Sequence, residues 1–160
     1  MPVENGVYYI GQKIEGVTLR SNQGFADDRQ IFRETYRADW AGSTPIKQVS
    51  ACRTDAGVIK AWHQHVLQTD YFFVVTGSLL VVLFDPQTGN WMKIACREFG
   101  TPTIQIPSGI AHGYRVLGHE PATLIYAANE LYNYTKPDEM RIPWNQYPPD
   151  ESTFWEIENR

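Results

Sequence analysis

Short runs of β-branched and aromatic residues, separated by turn-forming Gly, Pro, Asn and Asp, recur along the chain. Spacings of about 8–12 residues between such runs are typical of an antiparallel sandwich or barrel. Helical periodicity is weak throughout. The pattern predicts an all-β protein with strands at Val7–Ile10, Val17–Arg20, Ile31–Tyr36, Lys47–Thr54, Val58–His65, Asp70–Thr76, Ser78–Asp85, Trp91–Cys96, Thr103–Ile106, His112–Val116 and Ala122–Ala128.

The run TGSLLVVLF, residues 76–84, is apolar at nearly every position and does not alternate. A strand with this composition is buried on both faces, so we expect it near the centre of a sheet. Turns are predicted on either side of it, one at Gly77 and one in the segment DPQTGNW, where Pro and Gly favour a tight reversal.

From about Leu131 the chain is rich in Pro, Tyr and Trp and shows no clear period. We expect residues 1–160 to form a single domain, with an irregular tail from about 131 that wraps the barrel. The tail aromatics, Trp144, Tyr147, Phe154 and Trp155, are interpreted as packing residues.

Composition narrows the class of protein further. Hydrophobic residues make up 42% of the 160 residues and charged residues 20%, as in an ordinary globular domain. The net charge of −4 argues against a nucleic-acid-binding surface. No apolar run is long enough to span a membrane, and no basic region followed by an apolar core marks a signal peptide. Two cysteines make no disulfide framework, and a cytoplasmic location is expected.

The candidate chemistry lies in two stretches. His63 and His65 are two residues apart, so on a strand both imidazoles point to the same face. Asp70 follows, and His112 comes after a Pro-x-Gly turn some forty residues later. If the two strands meet inside a barrel, these four side chains converge on one pocket.

The spacing of these residues resembles the first cupin motif. Five residues separate Gly57 from His63, one separates His63 from His65, four separate His65 from Asp70 and six separate Asp70 from Gly77. Asp70 stands where cupins usually have Glu.

The second cupin motif is approximated by Gly100, Pro107, Gly109 and His112, with Val116 in place of its usual Asn. The resemblance implies a double-stranded β-helix, or jelly roll.

A longer resemblance, from about Gly24 to Trp144, is to the dTDP-4-dehydrorhamnose 3,5-epimerases and related sugar-nucleotide enzymes. The segments that carry it are GFADDRQIFRETY, IKQVSACRTDAGVIKAWH, TGSLLVVLFD with TGNW, IQIPSGIAHGYRVL, IY at 125–126 and YTKPDEMRIPWN. Gln30 replaces a Gly of the family pattern.

This resemblance implies an isomerase acting on a nucleotide-linked 4-keto-6-deoxy sugar without a cofactor. His63 falls on the general base that removes a proton next to the ketone, and Tyr126 falls on the acid that reprotonates the carbon. Lys60 replaces an arginine near the diphosphate and the developing enolate. The implied substrate-binding residues are Arg29, Glu34, Gln48, His65, Asp70 and His112. A homodimer is also implied, with N-terminal strands completing the neighbouring barrel.

Three departures from the family pattern bear on the reaction. Asp70 stands where the family has a lysine that helps to hold the enolate. The C-terminal segment STFWEIENR has no match to the family segment whose aspartate orients the catalytic histidine. His65 is unusual in the epimerases, although the related dTDP-sugar 3,4-ketoisomerases carry an H-x-H here. These departures argue against double epimerisation and leave room for a single epimerisation, a ketoisomerisation or a changed substrate.

Two other readings remain open from the sequence. In one, His63, His65, Asp70 and His112 bind a divalent transition metal, and the protein is a metal-dependent dioxygenase, isomerase or small-molecule binder. In the other, the chain is a catalytically silent member that keeps the fold. Asp70 at the lysine position favours the metal, and the missing C-terminal aspartate favours the silent member.

Overall fold

The computed structural model describes residues 2–22, 24–98, 100–146 and 154–156. Among these residues no helix is long and apolar enough to cross a membrane. The strands are β1 (Val3–Glu4), β2 (Val7–Tyr8), β3 (Ile10–Gly11), β4 (Thr18–Ser21), β5 (Phe25–Ala26), β6 (Ile31–Phe32), β7 (Gln48–Thr54), β8 (Ile59–Gln64), β9 (Asp70–Thr76), β10 (Ser78–Phe84), β11 (Trp91–Arg97), β12 (Pro102–Ile106), β13 (Ala111–Val116), β14 (Ala122–Ala128) and β15 (Met140–Arg141).

Two antiparallel sheets form the body of the protein. A six-stranded sheet has the order β15-β8-β13-β10-β11-β3, and a five-stranded sheet has the order β4-β12-β9-β14-β7. From β7 to β15, consecutive strands alternate between the two sheets except for β10 and β11, which pair as a hairpin in the six-stranded sheet. The architecture confirms the expected all-β jelly roll.

The core lies between the two sheets. Alternate residues of β10, such as Val81 and Leu83, point inward and meet Val74 of β9 and Leu124 of β14. The residues between them, Leu80, Val82 and Phe84, point outward. There they pack in a second cluster with Trp62, Phe154 and Trp155. The central strand is therefore buried on both faces as predicted, and the packing roles of Phe154 and Trp155 are confirmed.

Two strand predictions need correction. The predicted strand Val7–Ile10 is divided into β2 and β3, which pair with β1 and β11. Of the predicted strand Ile31–Tyr36, only Ile31–Phe32 is a strand, because its partner Phe25–Ala26 is equally short. Tyr36 instead packs edge-on against Trp40 and Tyr71.

The tail is less irregular than expected, because Met140–Arg141 adds an edge strand beside β8. Trp144, expected to pack, is 49% exposed, although its carbonyl accepts hydrogen bonds from the indoles of Trp62 and Trp155. Tyr147 lies outside the described residues.

A bulge in β8 shapes the cavity wall. Against β13, His63 pairs with His112 but Lys60 pairs with Tyr114, so β8 holds one extra residue in this interval. Strict alternation along β8 would point residues 60 and 63 to opposite faces, and the extra residue lets both reach the cavity. Gly113 makes the bulge possible, since a Cβ there would lie 2.4 Å from the Cβ of Ala61.

Candidate functional site

A cavity of about 440 Å³ opens between the two sheets at one end of the barrel. A volume of this size suits a small-molecule ligand. Most of the residues singled out in the sequence line it: Gln48, Lys60, His63, His65, Asp70, His112 and Tyr126. Strands from both sheets therefore converge on one pocket, as the motif spacing predicts.

His63 is held by a carboxylate. Its Nδ1 contacts Oε1 of Glu139, and the other oxygen of Glu139 accepts a hydrogen bond of 2.8 Å from Nε of Arg141. Because an ionised carboxylate can only accept, Nδ1 of His63 carries the proton and Nε2 is left as the basic nitrogen. Burial lowers the pKa of His63, and the hydrogen bond to Glu139 offsets this only in part. At neutral pH the ring is therefore uncharged and able to take a proton.

Glu139 is a candidate functional residue that the sequence analysis missed. Burial alone would raise its pKa, but the hydrogen bonds from His63 and Arg141 outweigh this and hold the pKa below its usual value. The carboxylate is thus ionised and supplies the orienting group that has no counterpart in the C-terminal segment. The sequence contains one indication of this residue, the acidic pair in YTKPDEMRIPWN. This segment resembles the family pattern, but its acidic residues were assigned no role.

Asp138 fixes the backbone that carries Glu139. Its carboxylate accepts hydrogen bonds from the backbone N–H groups of Val66, Leu67 and Gln68, at 3.2, 2.8 and 3.0 Å. Just beyond, Ile142 exchanges two backbone hydrogen bonds with Trp62, at 2.7 and 3.0 Å. The segment is anchored at both ends to the chain around β8, so Glu139 faces His63 in a defined position.

A second cluster of titratable groups lies deeper in the cavity. Oδ2 of Asp70 is 3.4 Å from Nε2 of His65 and 3.3 Å from Nε2 of His112. Oδ1 of Asp70 accepts a hydrogen bond of 2.8 Å from the Gln68 amide. Burial would raise the pKa of Asp70, but the hydrogen bond to His112 and the nearby imidazoles hold it below its usual value. The buried carboxylate is therefore ionised.

The four residues that the sequence suggested as metal ligands separate into two groups. His65, Asp70 and His112 bring donor atoms within 4.8 Å of one another. Among the described residues His63 is not part of this group, and its Nδ1 is engaged with Glu139. A metal held by this chain would therefore have three protein ligands rather than four.

Tyr126 lies on the five-stranded sheet and lines the same cavity as His63, which lies on the six-stranded sheet. It is half-buried and packs against Phe72, with ring centroids 6.2 Å apart. Tyr114, which the sequence analysis did not single out, also lines the cavity. Its hydroxyl lies 2.9 Å from Oγ1 of Thr54 and 3.3 Å from Sγ of Cys52, and burial raises its pKa.

Arg29 and Glu34 do not reach this cavity within one chain. Arg29 is exposed and pairs with Asp27 and Asp28 at the tip of the β5–β6 hairpin. Glu34 pairs with Arg37 and lines a separate cavity of about 480 Å³. Their expected contacts with a nucleotide stay predictions.

The sequence matches a model of one protein family over most of its length. The model is that of dTDP-4-dehydrorhamnose 3,5-epimerase, and it covers residues 11–150.

Two curated relatives are similar over nearly their whole length. Spore coat polysaccharide biosynthesis protein SpsL of Bacillus subtilis (strain 168) is 39% identical over 137 residues, which cover 82% of this chain and 91% of that protein. The probable low-salt glycan biosynthesis epimerase Agl13 of Haloferax volcanii is 34% identical over 139 residues, which cover 82% of this chain and 89% of that protein.

Solved structures share the fold. ChmJ, a 3'-monoepimerase from Streptomyces bikiniensis in complex with dTDP-quinovose, has a TM-score of 0.78 at 22% identity, covering 90% of this chain and 77% of that one. RmlC from Legionella pneumophila, in complex with dTDP-4-keto-L-rhamnose, has a TM-score of 0.77 at 20% identity, covering 96% of this chain and 86% of that one. At this identity the similarity establishes a common architecture.

Proposed function

Because the chain belongs to the dTDP-4-dehydrorhamnose 3,5-epimerase family, we propose that it is a sugar-nucleotide epimerase. Its substrate is a nucleotide-linked 4-keto-6-deoxy sugar, and the reaction inverts a carbon next to the ketone. The observation that carries this proposal is the His63–Glu139 pair, which presents a neutral imidazole to the cavity opposite Tyr126.

Proton removal is assigned to Nε2 of His63. A hydrogen on the carbon next to a ketone is acidic because the resulting carbanion is delocalised onto the ketone oxygen as an enolate. An imidazole that is neutral near pH 7 is suited to take such a proton. Glu139 keeps Nδ1 protonated and stabilises the imidazolium that forms. The aspartate of a Ser-His-Asp triad acts on its histidine in the same way.

Charge on the enolate oxygen needs a cation nearby. Lys60 lies on the β8 bulge and lines the same cavity as His63. Its ammonium group supports the proposed role beside the diphosphate and the enolate.

Reprotonation from the other face is assigned to Tyr126. His63 belongs to the six-stranded sheet and Tyr126 to the five-stranded sheet, so a sugar between the sheets presents opposite faces to the two groups. Delivery of a proton from the side opposite to its removal inverts the carbon. These two transfers use side chains alone, and so the proton chemistry requires no cofactor.

The direct test is incubation of a nucleotide-linked 4-keto-6-deoxy sugar with the enzyme in deuterated water. We expect deuterium at C3, at C5 or at both, together with the epimerised product. The position of the label also reports whether one carbon or two are inverted. Absence of deuterium from both carbons would rule out the epimerase assignment and favour a silent binding protein.

Replacing Glu139 with Gln is expected to lower kcat by roughly 100-fold. A positioned general base accelerates a reaction by roughly 10²–10⁴-fold, and this substitution removes only part of that contribution. The amide keeps the size of the side chain but loses the charge that stabilises the imidazolium, so KM should change little. Glu139→Asp should recover part of the loss. Steady-state kinetics of these variants can be compared with Glu130→Gln, which removes another ion-paired Glu at the surface. Equal losses in both Gln variants would contradict the assignment.

We also propose that the protein is a homodimer in which the β5–β6 hairpin reaches the partner's cavity. The hairpin exposes three large apolar side chains, with Phe25 75%, Ile31 48% and Phe32 53% exposed. Its tip carries Arg29, which the family resemblance places against the nucleotide. Association of two chains would bury the apolar residues and bring the arginine to a cavity.

Exchanging Phe25 and Phe32 together for Ser is expected to convert the dimer to a monomer and to raise KM. Val66→Ser is the matched control, because Val66 is 73% exposed but lies outside the hairpin. Sedimentation equilibrium gives the mass of each variant. A wild-type protein that sediments as a monomer would contradict the proposal.

A cytoplasmic location also stays a prediction, in keeping with a charged nucleotide-sugar substrate. The names of SpsL and Agl13 support a setting in polysaccharide or glycan biosynthesis.

A further inference from the structure

Two buried imidazoles converge on a single carboxylate oxygen in the wall of the cavity. Nε2 of His65 and Nε2 of His112 lie 3.4 and 3.3 Å from Oδ2 of Asp70. Only 8% of His65, 3% of Asp70 and 3% of His112 is exposed. Water therefore does little to screen the interaction among these three groups.

The other nitrogen of each ring is already engaged. Nδ1 of His65 contacts the backbone carbonyl of Asp138, and Nδ1 of His112 lies 3.1 Å from the carbonyl of Ile110. A carbonyl oxygen can only accept a hydrogen bond, so both Nδ1 atoms carry a proton. Nε2 of each ring is thereby directed at the same oxygen of Asp70. A buried carboxylate is expected to pair with a cation or to coordinate a metal.

The Gln68 amide occupies the other oxygen of Asp70. It donates to Oδ1 of Asp70 at 2.8 Å and lies 3.4 Å from Nε2 of His65, which is too long for a strong hydrogen bond.

We propose that His65, Asp70 and His112 form a binding site for a divalent first-row transition-metal ion. Ligand atoms around a tetrahedral ion with bonds of about 2.1 Å lie about 3.4 Å apart, which matches the two distances to Oδ2 of Asp70. Metal-binding histidines usually donate their second ring nitrogen to a carbonyl or carboxylate, as both rings do here. Two imidazoles and a carboxylate suit Zn²⁺, Fe²⁺, Mn²⁺, Co²⁺ or Ni²⁺.

The site faces the cavity that we assign to the sugar nucleotide. All three ligands line that cavity, so the remaining coordination positions are directed toward a bound molecule. A bound ion would supply positive charge in the part of the wall where Asp70 replaces the family's lysine. The proton transfers assigned to His63 and Tyr126 do not depend on it, and so the two proposals can fail separately.

The test is a titration of the untagged protein, dialysed against a chelator, with Co²⁺ alone. We expect one equivalent per chain, with visible absorption bands of a low-coordinate ion and a higher thermal unfolding midpoint. Asp70→Asn and His112→Gln should each weaken binding by more than roughly 100-fold, beyond the loss caused by removing an outer partner of a ligand. His63→Gln is the matched control and should bind Co²⁺ like the wild type.

Several outcomes would overturn the site. These are the lack of saturable binding at one equivalent, unchanged binding by Asp70→Asn, and equal loss of binding in His63→Gln. If Asp70→Asn fails to fold, His65→Gln replaces it, with circular dichroism as the check. Deuterium exchange by the chelator-treated protein without Co²⁺ binding would remove the metal site and keep the epimerase. Stoichiometric binding without any exchange would keep the metal site and remove the epimerase.

Discussion

Replacing His63 with Asn is expected to lower kcat by roughly 10³-fold or more and to stop deuterium incorporation, because it removes the imidazole to which proton removal is assigned. The amide is polar and smaller than imidazole, so the site stays hydrated and the fold is retained. Among the described residues, His63 differs from the other cavity imidazoles in the carboxylate that it faces. His63 meets Glu139, whereas His65 and His112 face Asp70.

His119→Asn is the control for this experiment, since His119 is exposed in a turn. Exchange is followed by the appearance of deuterium at the carbons beside the ketone, and folding is followed by the thermal midpoint. A His63→Asn protein that exchanges at the wild-type rate would show that another group removes the proton.

Replacing Tyr126 with Phe is expected to separate exchange from inversion. His63 still removes the proton and can return it, or a deuteron from solvent, to the same face. The opposite face loses its donor, so the epimerised product should fall by roughly 10²–10³-fold, while deuterium still enters the unchanged epimer. The ratio of labelled starting sugar to labelled product, measured by NMR, gives this partition.

Tyr114→Phe is the matched variant, because Tyr114 lines the same cavity and its hydroxyl is bonded within the protein to Thr54. Removing this hydroxyl should leave the stereochemical outcome unchanged. If inversion is lost in Tyr114→Phe and kept in Tyr126→Phe, the acid has been assigned to the wrong phenol.

The all-β class and the central strand could be predicted from local signals, whereas the jelly-roll topology was implied by the resemblance to the cupin motifs. Two histidines two apart share a face of any strand, and a Pro-x-Gly turn sets the start of the next one. The apolar run of β10 indicated its central position directly. These features depend on residues that are close together in the sequence, so they can be recognised in a single sequence.

Glu139 could not be predicted in the same way, since its role depends on a contact across 76 positions of the chain. Nothing in PDEMR indicates that its backbone will pair with β8. The bulge that turns Lys60 toward the cavity is equally hidden, because it depends on the missing side chain of Gly113 in another strand. Arg29 and Glu34 lie outside the cavity of one chain, so their predicted contacts with a nucleotide depend on the proposed dimer.

Glu139 comes directly before a strand of two residues, β15, at the edge of the six-stranded sheet. Short edge strands open more readily than central ones, because few contacts must break when they detach. Detachment of this strand would leave the apolar interior between the sheets intact and would separate the carboxylate from His63. We therefore expect activity to depend on the hydrogen bonds that dock this segment, and to be lost at a lower temperature or denaturant concentration than the barrel itself.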